Sequence, residues 1–309
     1  MLYGMPYKGS KGKYVNNFTE QFGTGSVFYD VFGGGGSVSH AVADKFETVV
    51  YNESNMRVAE AFRKFITGTV EYSPFVSHEE FNVKAMYDGV IGLCYSFGTG
   101  LRSYAYGRDI EPWKQAMHYF LLENDASMFE DMGFHVSIDL TAADIEKNFD
   151  RIRDCYEAWF RELFRDSYSD DQIDMYMNTM RKRSVQSFAN TEHVTRFRRM
   201  QQLKDKPIKN VKVFNKDYRD LEIEPGSVVY CDPPYAETEQ YETTGYKRAE
   251  FRKDLFIDWC RQLKGKCTVF VSEMSMPDDF EPVWEKKVRN VYNGGNKKND
   301  RVEKLFRLK

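Results

Sequence analysis

Residues 26–53 constrain the fold of this chain more than any other stretch. Ser26–Asp30 is a short β-rich run that ends in an acid, Gly33, Gly34, Gly35 and Gly36 form a glycine turn, and Ser37–Asp44 reads as a helix that opens with small and apolar residues. Thr48–Glu53 follows as a second strand ending in polar residues, and Asn55–Ile66 reads as an amphipathic helix. A βαβα start with the usual right-handed crossover predicts a parallel sheet. Glycines after the first strand tolerate φ values that other residues avoid and let the backbone approach a ligand closely. The turn does not match G-x-x-x-x-G-K-[ST], and it meets G-x-G-x-x-G only approximately because residue 39 is Ser. That weakens a phosphate-binding reading. Glu53, about 20 residues beyond the glycines, sits where an acid grips ribose hydroxyls in such folds.

The parallel-sheet rhythm stops between about Glu71 and Phe188, a region rich in Tyr, Phe, Arg and acids, with helix-like stretches at Glu111–Glu123 and Ala142–Phe164. It resumes with a helix over Thr191–Leu203 and strands at Val211–Phe214, Gly226–Cys231 and Cys267–Ser272. Val283–Tyr292 and Val302–Leu308, around Asn293-Gly294-Gly295-Asn296, predict a C-terminal β-hairpin. The fold class expected is therefore α/β, with a sheet-bearing part at 1–70 and 189–309 and an inserted, mostly helical part at 71–188. In the helix over Thr191–Leu203, Val194, Phe197 and Leu203 share a face, which predicts packing on the sheet with the arginines turned outward.

Asp232-Pro233-Pro234-Tyr235 ends the apolar run Val228–Cys231. An acid, two prolines and an aromatic at the carboxyl end of a buried strand make a rigid, polar notch where open α/β sheets place their ligands. Asp232 and the Pro233 carbonyl can each accept a hydrogen bond from an NH2 group, while the prolines remove local donors and hold φ near −65°. Tyr235 can stack on the ring that carries the amine. The same four residues also make an ordinary chain reversal. Asp217, after the third strand, could accept from an adenine amino group in a nucleoside ligand.

At 309 residues and 41% hydrophobic content, the chain can bury a full core. Its five cysteines are scattered without a C-x-x-C pair, which argues for reduced thiols and against a disulfide frame or zinc site. No apolar run approaches the roughly 20 residues needed to span a bilayer, so no membrane partner is expected. A net charge of −3 leaves nucleic-acid contact to local patches. One basic cluster runs from Arg181 to Lys204 and includes Arg183, Arg196, Arg198 and Arg199; a second comprises Lys286, Lys287, Arg289, Lys297, Lys298 and Arg301. Arg102, Arg108, Arg181 and Arg183 are nucleic-acid-binding candidates by composition.

Taken together, Tyr7-Lys8-Gly9-Ser10-Lys11, Asp30-Val31-Phe32-Gly33-Gly34-Gly35-Gly36, Asn52-Glu53-Ser54-Asn55, Asp217-Tyr218 and Asp232-Pro233-Pro234-Tyr235 resemble, in order, the motifs of the Dam-type (α-class) DNA adenine-N6 methyltransferases. The resemblance covers both ends of the chain and leaves the insertion unmatched. It implies a Rossmann-like S-adenosylmethionine methyltransferase sheet, a flipped adenine in double-stranded DNA as substrate, the insertion as target-recognition domain, and no metal. It places Tyr7, Lys11, Phe32, Gly34, Gly36, Glu53, Asp217 and Asp232 at the cofactor, and Asp232, Pro233, Pro234 and Tyr235 at the chemistry. The family more often has Asp where Glu53 stands, and Ser-Asn where Ser272-Glu273 stands; Glu273 receives no role. The cytoplasm of a prokaryote or a phage-infected cell is the setting it implies. Methylation of RNA or of a protein amide, and a non-catalytic DNA-binding role, are the alternatives.

Overall fold

The carboxyl half of Gly25–Asp30 (β1) is buried and its amino half exposed, so the strand enters the protein and delivers Asp30 to an interior edge. In this computed structural model, residues 2–71, 73–132, 149–181, 192–234, 251–289 and 300–309 are described. β1 pairs in parallel with Phe46–Asn52 (β2) on one side and Val228–Cys231 (β4) on the other. Val211–Phe214 (β3) extends the sheet beyond β2, and Thr268–Ser272 (β5) extends it beyond β4, both in parallel. The predicted hairpin strands, Phe280–Arg289 (β6) and Asp300–Leu308 (β7), complete a seven-stranded sheet of order β3-β2-β1-β4-β5-β7-β6, with β7 antiparallel to both neighbours. The Asn293–Asn296 turn lies outside the described residues. Pro282, which has no N–H for the ladder, falls at a register shift in the edge strand β6.

Side chains of period two divide the core between the two faces of this sheet. Phe28, Val49, Tyr230 and Phe270 pack with Val15 and Phe18 of helix Val15–Thr19 (α1) and Val38 and Val42 of helix Ser37–Val42 (α2). Tyr29, Val50, Val229, Cys231, Val269 and Val271 face Phe256 and Cys260 on the other side. Met56–Thr67 (α3) is a helix because apolar residues recur at Val58, Ala59, Phe62, Phe65 and Ile66, all buried. Asn55 caps its start by accepting from the Arg57 N–H, and Gly68, at φ 70°, closes it.

The chain divides into two compact units, Met1–Thr69 with Leu203–Lys309, and Val70–Gln202. Among its described residues the second unit is helical: His78–Lys84 (α4), Gly89–Tyr95 (α5), Glu111–Glu123 (α6), Ser127–Asp131 (α7), Phe149–Phe164 (α8), Asp170–Arg181 (α9) and Glu192–Met200 (α10). Trp113, Met117, Phe120, Phe129, Phe160, Ile173, Met177 and Val194 form its core. The presence of Val194 there corrects the sequence reading. The boundary falls after Gln202 rather than at 188/189, and α10 packs within the helical unit rather than on the sheet. Arg196, read as turned outward, is buried and donates to the Ser96 carbonyl at 2.9 Å, while Arg198 reaches the Leu121 carbonyl at 2.6 Å. Carbonyls at the carboxyl ends of α5 and α6 lack intrahelical partners, and these arginines supply donors to them.

Candidate active site

Sheet order reverses between β1 and β4, so their carboxyl ends flank a crevice not covered by a crossover. The register pairs Asp30 with Tyr230, which places Asp232 just beyond the end of β4 and near Asp30. Lys11 arrives from the amino-terminal segment on a short 3-10 turn, Lys11–Lys13, capped by the Ser10 hydroxyl. Its Nζ stands 3.2 Å from Asp232 Oδ1 and donates to Glu303 Oε2 of β7 at 3.3 Å. Lys11 is almost wholly buried. Asp232 Oδ1 is also buried, and among the described residues it has an ion-pair neighbour but no hydrogen bond of ordinary geometry. Burial pushes the Asp232 pKa up; the Lys11 charge pulls against this, and Glu303 and Glu273 add to the rise. Pro233 is buried and Pro234 half-buried; Tyr235 lies outside the described residues.

The glycine turn is held by backbone bonds from several directions. Gly33 donates to the Asn52 carbonyl at 2.8 Å, Met5 donates to the Gly35 carbonyl at 2.7 Å, and the Tyr51 hydroxyl donates to the Gly34 carbonyl at 2.7 Å. Gly34 and Gly36 lie at φ 48° and 66°. A Cβ on Gly34 would meet the Tyr7 ring at 2.9 Å, and one on Gly36 would meet Phe62 at 2.0 Å. These glycines are therefore already demanded by aromatic packing within the protein. Glu53, buried, accepts from the Gly34 N–H at 3.1 Å through Oε2 and from the Asn55 N–H at 2.7 Å through Oε1. It ties the glycine turn to the start of α3.

Asp30 is fully buried and accepts from both the backbone and the hydroxyl of Ser39, at 3.1 and 2.7 Å. Desolvation outweighs these bonds and, with the nearby charges of Asp232 and Glu53, carries its pKa up to about 7. Glu273, also buried, pairs with Lys253 at 3.2 Å and accepts from the Met274 N–H. Carboxylates thus outnumber ammonium groups around the strand ends. On the flank, Phe32 packs against Tyr218, Phe251 and Phe256 with centroids 5.4, 6.0 and 5.6 Å away. Asp217 caps the short turn Tyr218–Asp220 and pairs with Arg219 at 2.8 Å.

The structure brings Lys11 and Asp232 together, and Gly34 with Tyr7 and Glu53, from segments more than 15 residues apart. Arg102 and Arg108 are exposed in the helical unit, Arg181 ends α9, and Arg183 lies outside the described residues. Sequence reasoning missed Glu303, Lys253 and the perturbed titration of Asp30. The only signal for Asp30 was its place at the end of a buried strand. Among the described residues no three metal-ligating side chains converge, and no helix is long and apolar enough to cross a membrane.

A parallel sheet with this switch point, an antiparallel β7 inserted beside β5 and a glycine turn after β1 defines an α/β methyltransferase-like protein. The model of the D12 class N6 adenine-specific DNA methyltransferases matches residues 7–85 and 146–303, most of the chain, and the chain belongs to that family. The match runs into both ends of the region that the motif resemblance left unmatched. No curated protein matches the chain.

Proposed function

We propose that this protein transfers a methyl group from S-adenosylmethionine to the 6-amino group of an adenine flipped out of duplex DNA. The observation that carries this reading is Asp232 Oδ1, a buried acceptor with no hydrogen bond of ordinary geometry among the described residues, set beside a buried ammonium in a chain whose family acts on adenine N6. When bound, S-adenosylmethionine supplies an electrophilic methyl group on a sulfonium. The donor set fits such a cation, because Asp30, Glu53, Asp232, Glu273 and Glu303 exceed the charge of Lys11 and Lys253.

The adenine amine is a weak nucleophile because its lone pair is delocalised into the ring. Asp232 and the Pro233 carbonyl accept from its two protons, which favours a more tetrahedral nitrogen aimed at the methyl carbon. Positioning is the main catalytic contribution. Pro233 and Pro234 bring no N–H to compete for those acceptors. Tyr235 stacks on the extruded base. Tyr7, Lys11, Phe32 and the backbone at Gly34 and Gly36 border the cofactor. Glu53 accepts from the ribose hydroxyls, and Asp217 accepts from the cofactor's adenine amino group. Arg102, Arg108, Arg181 and Arg183 position the duplex through its phosphates.

Incubation of the purified protein with methyl-labelled S-adenosylmethionine and unmethylated duplex DNA, followed by nucleoside analysis, tests the proposal. Label in 6-methyladenine supports it. Cofactor binding without label in DNA overturns it in favour of an RNA or protein substrate.

A further inference from the structure

Lys11 lies between two carboxylates and treats them differently. Its ammonium donates to Glu303 Oε2 at 3.3 Å, whereas Asp232 Oδ1, at 3.2 Å, receives its charge without a hydrogen bond of ordinary geometry. All three groups are withdrawn from water, with side-chain exposures of 6% for Lys11, 11% for Glu303 and 20% for Asp232. Solvent therefore does little to scramble the arrangement.

The topology explains why β7 supplies the second carboxylate. β7 runs antiparallel to β5, with Ser272 opposite Leu305, and the Glu273 N–H donates to the Lys304 carbonyl at 3.3 Å. The first residues of β7 thus lie at the edge where the parallel strands end, the edge that carries Asp232. Side chains alternate along a strand, so Glu303 and Leu305 share one face, and Leu305 packs in the core with Phe18 and Tyr230. Glu303 is the acidic member of that row.

We propose that Glu303 is a positioning residue that holds the hydrogen bond of Lys11, so that Asp232 Oδ1 keeps its acceptor capacity for the amino group undergoing methylation. This rests on the methyl-transfer reading above. An ammonium has three donors and no acceptor, and a buried one turns to whatever carboxylate is in reach. With Glu303 removed, Lys11 turns to Asp232. The amine then competes with an internal donor for the oxygen it needs.

The test combines a titration with turnover. Carboxyl 13C NMR of Asp-labelled protein, with the Asp232 signal assigned by loss in Asp232→Asn, follows Asp232 in the wild type, Glu303→Ala, Lys11→Met and the double variant. Glu303→Ala should move the Asp232 midpoint to lower pH by more in the presence of Lys11 than in the Lys11→Met background. Glu303→Gln, which keeps an acceptor for Lys11, should retain most of the wild-type kcat, while Glu303→Ala loses about tenfold. Equal shifts in both backgrounds, or equal kcat for the Ala and Gln variants, overturn the inference. If Glu303→Ala does not fold, Glu303→Met removes the acceptor while filling the volume. The titration needs neither cofactor nor DNA, so a wild-type protein that leaves adenine unmethylated counts against the proposed function alone.

Discussion

Ser39 donates twice to one oxygen of Asp30, from its backbone N–H at 3.1 Å and from its hydroxyl at 2.7 Å, yet the carboxyl titrates at about 7. Both bonds favour the ionised form, so burial must outweigh them. Between the ordinary value of 3.8 and about 7, the native state holds a proton that the unfolded chain has released. Stability therefore falls as pH rises through that window, and the contribution of the protonated carboxyl is fully present only below it. The difference amounts to roughly 4 kcal/mol, from 1.36 kcal/mol per unit. Urea unfolding of wild type and Asp30→Asn at pH 5 and pH 8 checks this: the wild type should lose stability relative to the variant at pH 8. Parallel pH dependences for the two proteins would rule out a titrating Asp30.

The proposed methyl transfer gives the same carboxyl a second readout. A sulfonium placed near Asp30 favours its ionised form, so binding of S-adenosylmethionine should release protons near pH 7, and binding of the neutral thioether product should release fewer. Calorimetry in two buffers of different ionisation heat counts those protons. Equal counts for cofactor and product would show that Asp30 does not sense the sulfonium.

Asp232→Ala should lower methyl transfer on the order of 10²–10³-fold, the usual loss when one positioned polar partner is removed from a reacting centre. Lys11 keeps its bond to Glu303 in this variant, so the fold should survive, as a thermal melt would show. Retention of full activity would remove Asp232 from the chemistry.

How far the sequence was legible depends on the range of the signal. The strand, glycine turn and helix at residues 26–42, the parallel β2 to β5 and the closing hairpin were all predicted, because period-two burial and glycine turns are local properties. Glu303 was invisible because an acid in an alternating hairpin strand ordinarily faces water; only the insertion of β7 beside β5 turns it inward. Arg196 was misread because helical spacing marks an apolar face but cannot reveal that the Cys94 and Ser96 carbonyls wait beside it. Spacing singled out Glu53, but its bonds to Gly34 and Asn55 depend on how the turn folds back, which spacing does not encode.

Gly36→Ala should be among the most damaging single-methyl changes in the protein. The residue sits at φ 66°, and its Cβ would fall 2.0 Å from Cε2 of Phe62, which is itself stacked on Tyr51 at 4.0 Å. Strain and overpacking together should cost about 2–4 kcal/mol. Phe62→Leu in the same chain should recover part of that loss in denaturant unfolding, because it removes the clash but not the left-handed backbone. A double variant no more stable than Gly36→Ala would place the whole penalty in the backbone.

The basic residues of the helical unit should separate into two kinds. Arg196 is buried and donates to the carbonyls of Ser96 and Cys94, at 2.9 and 3.5 Å, so Arg196→Ala removes a donor that these two carbonyls share in the interior. It should destabilise the protein by about 1–3 kcal/mol. It should leave the salt dependence of DNA binding at its wild-type slope, since a guanidinium spent on buried carbonyls neutralises no phosphate. Arg102 is exposed, and a residue that meets the duplex backbone carries the opposite signature: Arg102→Ala should leave unfolding unchanged and reduce the slope of log K against log salt by about 1. Fluorescence anisotropy on duplex DNA across a salt series, paired with denaturant unfolding of the same preparations, reads both quantities. A reduced slope in Arg196→Ala would mean that this arginine leaves its carbonyls for DNA, and an unchanged slope in Arg102→Ala would take that residue out of the phosphate contacts.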